Sequence, residues 1–133
     1  MADKRLKSLE RMLAIQSRMR SLAEWRQQAI QRQAAAARDE SHALVAALNG
    51  DGLINSLFTD VTARRLHRVS VEIAGLNEQA AVQAREVARE TGREKRAAKL
   101  ADQARRGQHR TDQDKALLDI MESQEGKRAA SLE

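Results

Sequence analysis

The chain has 133 residues, enough for one domain, and its composition excludes several classes at once. With no Cys, a disulfide, a thiolate nucleophile and a Cys-based zinc site are all excluded, and with 2% aromatic residues a thick globular core is not expected. Charged residues make up 32% and the net charge is +5, so the composition is that of a long helix or coiled coil with an acidic or polyanionic partner.

The first predicted element is a helix over about 3–48. Asp3 can cap it, because its carboxylate can accept from an unpaired amide of the first turn. Leu6, Leu9, Met12, Leu13, Ile15, Met19 and Leu22 come next, then Ala29, Ile30, Ala36, Ala37, Leu44 and Leu48. Steps of three and four place them along one side of a helix roughly 70 Å long. So polar a helix needs a partner. Trp25 borders the stripe and is expected to pack on a second helix.

Asn49-Gly50-Asp51-Gly52 ends the element, since Gly50 can take the left-handed conformation that closes a helix. Residues 49–59 form the turn and tip. Leu53, Ile54, Leu57, Phe58 and Val61 then recur at helical spacing, and Thr59 or Asp60 can cap the second helix.

That second helix is expected over about 60–106. Leu66, Val69, Ile73 and Leu76 step by three and four, and Ala80, Ala84, Val87, Ala98, Ala101 and Ala104 continue the seam with smaller side chains. Two long helices joined by a short turn fold back on each other. The expected fold is therefore all-α: an antiparallel coiled-coil hairpin in a single elongated domain. Pairing outward from the turn sets Ile30 near Leu76 and Leu9 near Leu100.

The remaining stretch, 107–133, reads as a C-terminal helical extension. Gly107 is a weak point, and Thr111 with Asp114 forms a capping-box pattern. Either the helix runs on through a loose joint, or a separate helix starts near 112. Leu117, Leu118, Ile120 and Met121 give this part an apolar face.

Two regions carry more apolar surface than a two-helix seam needs. One is the tip, with Leu53, Ile54, Leu57, Phe58 and Val61. The other is the end where both termini meet, with Leu6, Leu9, Leu13, Met19, Leu117, Leu118, Ile120 and Met121. Both are candidate partner-binding surfaces. Arg85, Arg89, Arg93, Lys95, Arg96 and Lys99 form a basic shaft, interleaved with Glu86, Glu90 and Glu94. A solvated charged face explains it best, and an acidic ring or nucleic acid is the alternative.

No catalytic, cofactor-binding or metal-binding residues are predicted. His42, His67 and His109 lack ligand spacing, and NGDG is too short for a phosphate loop and comes after no strand. Without interleaved aromatics, nucleic acid is a weaker partner than protein. No apolar run reaches the roughly 18 residues of a membrane span, so a cytoplasmic protein is expected.

RLKSLERMLAIQ near the N-terminus, the glycine-marked turn near 50, the charged return helix and HRTDQDKALLDIMESQEGKRAA together resemble the FliJ/YscO family. These are small coiled-coil proteins of flagellar and virulence type III export machines. Asp114, Lys115, Leu118 and Asp119 would fill that family's recurring acidic, Lys, apolar and Asp positions. The resemblance implies a non-enzymatic stalk, peripheral at the inner-membrane export apparatus. Its implied partners are the export ATPase hexamer at the terminal end, and the export gate protein or export chaperones at the tip. A basic coiled coil that binds nucleic acid and a homo-oligomeric scaffold are the alternative readings; the protein alone is expected to be monomeric, with self-association open to it.

Overall fold

The computed structural model describes residues 2–50 and 58–132. It is an all-α helical hairpin, with two long helices packed against each other. Helix α1 spans Ala2–Leu48 and helix α2 spans Thr59–Leu132. The absence of Pro and the abundance of Ala, Leu, Arg, Gln and Glu let both helices run without interruption. Thr91 and Thr111 fit inside α2 because each hydroxyl donates to the carbonyl four residues earlier, of Val87 and Gly107.

The ends differ in detail from expectation. Asp3 lies inside the first turn of α1, where its charge faces the positive end of the helix dipole. At the other end the Asn49 amide donates to Val45 O at 3.0 Å and the Gly50 amide to Ala47 O at 3.4 Å, which tightens the last turn. No backbone among the described residues takes the left-handed φ expected at Gly50. Helix α2 starts at Thr59, and its first bond runs from the Thr62 amide to Phe58 O at 2.9 Å. Thr111 begins no new helix: α2 passes through Gly107 and Thr111 as one α-helix.

The chain forms two compact units, Met19–Thr91 and Met1–Arg18 with Gly92–Glu133. In the first, Ala34, Ala37, Val69 and Leu76 are buried, with Leu44 and Ile73 packed against them. The covered positions recur at alternating steps of three and four on both helices. On α1 this row is 20, 23, 27, 30, 34, 37, 41, 44 and 48; on α2 it is 62, 66, 69, 73, 76, 80, 83, 87 and 90, with Glu24, Ala29, Glu40, Gly75, Glu86 and Thr91 half-buried beside it. This is the heptad spacing that keeps one narrow strip facing a partner helix. Within this cluster the α1 members Ala34 and Ala37 are small and the α2 members Val69 and Leu76 are larger, so small residues on α1 meet large ones on α2.

In the second unit the row continues at 6, 9, 13 and 16 on α1, and at 94, 97, 101, 104 and 108 on α2, with Ser17, Gly92 and Asp102 half-buried beside it. Here the sizes are reversed: the row on α1 carries Leu6, Leu9 and Leu13, and that on α2 carries Ala97, Ala101 and Ala104. Ala101 is 1% exposed, whereas Leu100 is 45% exposed. The residue expected beside Leu9 therefore points away, and its smaller neighbour fills the seam. Ala84 and Ala98 are also exposed, while Gln83 and Ala97 take their places at the interface.

Candidate functional site

Two kinds of surface remain once the seam is set, and the first is the seam's own polar stretch. Within residues 19–91, Arg20, Gln27, Gln83 and Glu90 occupy heptad positions that would ordinarily hold apolar side chains. Gln83 Nε2 donates to Ala23 O at 2.9 Å, which ties α2 to the backbone of α1. Arg20 Nη1 bonds Glu24 Oε2 at 2.9 Å. Glu90 is 3% exposed, and it and Arg20 each make further polar interactions. The sequence pattern places Glu90 on a solvated row beside Glu86 and Glu94. Its heptad position instead turns it inward.

Cross-helix ion pairs flank the seam in each unit. Arg65 Nη2 meets Glu40 Oε1 at 2.7 Å, and Arg105 Nη2 meets Glu10 Oε1 at 3.4 Å. Both are exposed, so each contributes up to about 1 kcal/mol at low salt. Their main effect is on register, because a slip by one heptad would separate the partners. On the basic shaft, Arg89 pairs with Glu86 at 3.2 Å within α2. Arg85, Arg89, Arg93, Lys95, Arg96 and Lys99 were expected on a solvated face; Arg85, Arg89, Lys95, Arg96 and Lys99 lie on the outer side of α2, and Arg93 makes polar interactions there.

The second kind of surface is bare apolar side chain. Leu117, Leu118, Ile120 and Met121 are each more than half exposed, and every described residue from 109 to 132 is exposed. They stand where α2 has run past the first residues of α1. Leu6, Leu9 and Leu13, grouped with them by apolar spacing alone, are half-buried in the seam instead. Met19 is exposed. At the tip, Leu53, Ile54 and Leu57 lie outside the described residues. Phe58 and Val61 are exposed, and Val61, Ala63, Arg64, His67 and Arg68 line a shallow pocket beside them.

Trp25 does not pack on the second helix as expected. It is 60% exposed, because it falls between the seam positions 23 and 27 and so faces outward. The outward stripe that apolar spacing merges with the seam is a separate row. Met12 and Ile15 each precede a seam residue by one position, and so do Met19 and Leu22. A seven-residue count anchored on Leu6, Leu9 and Leu13 separates the two rows.

Among the described residues, no group of three or more His, Asp or Glu side chains could hold a metal ion. No described helix is long and apolar enough to cross a membrane. What this geometry offers chemically is helix-docking surface. The chain matches no protein-family model, no curated protein and no solved structure.

Proposed function

We propose that this protein is a non-enzymatic stalk or adaptor of a type III protein export apparatus, flagellar or virulence, acting at its export ATPase. The observation that carries this reading is the bare apolar row Leu117, Leu118, Ile120 and Met121 on a stretch of α2 with no covering helix among the described residues. A helix with such a row gains by inserting into a protein groove, and the resemblance to the FliJ/YscO family supplies the partner. The ring's inner loops would receive the row. Phe58 and Val61, at the opposite end of α2, would face the export gate or a cargo chaperone. The protein would act by binding some states of the ring better than others, which shifts their populations.

The test is co-purification with a hexameric export ATPase, and then its rate of ATP hydrolysis. We expect a complex and a changed turnover, both reduced by Leu117→Asp with Met121→Asp. Absence of a complex together with unchanged turnover would remove the reading.

A further inference from the structure

The unit formed by Met1–Arg18 and Gly92–Glu133 carries a groove as well as the bare stretch of α2. Arg5 from α1 and Leu100, Gln103, Ala104, Gly107, Gln108 and Thr111 from α2 line a cleft of about 360 Å³. Gly107 leaves it open, since a Cβ built there would meet nothing within 4 Å. Met12 and Ile15 continue the same face: each sits one position before a seam residue, as do Arg5, Leu100, Gln103 and Gly107. Met12 is 53% exposed and Ile15 55%. The borders of this face are basic. Lys4 and Arg11 come one position before Arg5 and Met12 on α1, and Lys99 and Arg106 one position before Leu100 and Gly107 on α2; all are exposed.

The bare stretch has the opposite character. Between 112 and 125 there are five acidic residues, Asp112, Asp114, Asp119, Glu122 and Glu125, against the single cation Lys115. Asp114, Glu122 and Glu125 sit three or four positions from Leu117, Leu118 and Met121, so carboxylates edge the apolar row. An apolar strip with acidic margins complements a face where Met12, Ile15 and Leu100 add apolar surface to a mixed cleft and basic residues form the border.

The two cannot meet within one chain. Helix α2 is continuous from Gly92 through Gly107 and Thr111 to Leu132, so the acidic stretch cannot turn back onto the groove that the same helix helps to build. Pairing two acidic stretches side by side would set like charges against each other. The lengths also agree. Residues 112–125 span about 21 Å as helix, which fits along residues 2–18 of α1 at about 26 Å.

We infer that the groove of one protomer receives the acidic apolar stretch 112–125 of a second copy, and that the exchange is reciprocal. Each protomer then contributes one groove and one inserted helix, which is the self-complementary arrangement of a two-fold dimer. Leu117, Ile120 and Met121 cover Met12, Ile15 and Leu100, and the carboxylates meet the lysines and arginines of the rim.

The test is sedimentation equilibrium of the full chain alone across a dilution series, in low and high salt. With no ATPase present, its outcome is independent of the stalk reading. We expect a monomer–dimer equilibrium that salt weakens. Leu117→Asp with Met121→Asp, and separately Met12→Asp with Ile15→Asp, should each weaken dimerisation by about tenfold or more. All four side chains are exposed, so circular dichroism should show the helix content retained. Reversing Glu122→Lys should weaken the dimer, and adding Arg11→Glu with Lys99→Glu should restore part of it. A monomer at every concentration would overturn the inference. So would a dimer indifferent to the substitutions in the stretch, or one weakened by those but not by the groove pair, which would mean that the stretches pair with each other.

Discussion

Replacing Leu76 with Ala lowers the stability of the hairpin by about 2–3 kcal/mol, read from the urea midpoint of the far-ultraviolet dichroism. Among the described residues the buried apolar positions are Ala23, Ala34, Ala37, Val69, Leu76, Ala97 and Ala101, and Leu76 is the largest of them. It shares its buried cluster with Ala34 and Ala37, which contribute only methyl groups from α1. Truncating Leu76 leaves alanine facing alanine, and the cavity is filled only by bending the helices together. Val71→Ala is the matched control on the same helix. Val71 is 60% exposed, and its truncation should change the stability by less than about 0.5 kcal/mol. Equal effects at the two positions would mean that the seam is misplaced.

Glu90→Leu has the opposite sign. A carboxylate held inside a helix interface loses its hydration, and its polar partners return only part of that loss. Leucine at the same heptad position fills the layer with apolar surface, and we expect about 1–3 kcal/mol of added stability. Glu90→Ala, which removes the carboxylate but leaves the layer underfilled, should be less stable than Glu90→Leu. Destabilisation by Glu90→Leu would show that the polar stretch contributes net binding energy between the helices. The expected gain explains what the glutamate does in the native chain. Apolar heptads can slip by seven residues with little penalty, whereas a carboxylate is tolerated in few layers and the Gln83 to Ala23 hydrogen bond is made in one register only.

Much of this fold is readable from the residues. Asn49-Gly50 marks the end of α1, and Leu66, Val69, Ile73 and Leu76 mark the inner face of α2 because β-branched and leucine side chains recur there at strict intervals. Where alanine dominates, the phase is lost. Ala84 and Ala98 are as apolar as Ala97 and Ala101, so hydrophobicity alone does not tell which are buried. Only the unbroken seven-residue count, carried through the polar positions Gln83, Glu90 and Glu94, separates them. Trp25 is misplaced by the sequence pattern for a related reason. A large aromatic side chain suggests burial, but the helix rotation that buries Ala23 turns Trp25 outward.

The candidate surfaces divide along the same line. The exposure of Leu117, Leu118, Ile120 and Met121 results from chain length, because α2 outruns α1. The half-burial of Leu6, Leu9 and Leu13 depends on the alanines opposite them, which no local pattern on α1 discloses.

The central claim is that a narrow seam in each unit holds α1 against α2 and that the C-terminal part of α2 is left without cover in the monomer. Amide hydrogen exchange in dilute protein, resolved along α2, tests it most directly. The account predicts slow exchange from about residue 66 to 104 and fast exchange from 112 to 132, with the change falling near Gln108. Equal protection across both stretches, or slower exchange in the C-terminal one, would contradict it.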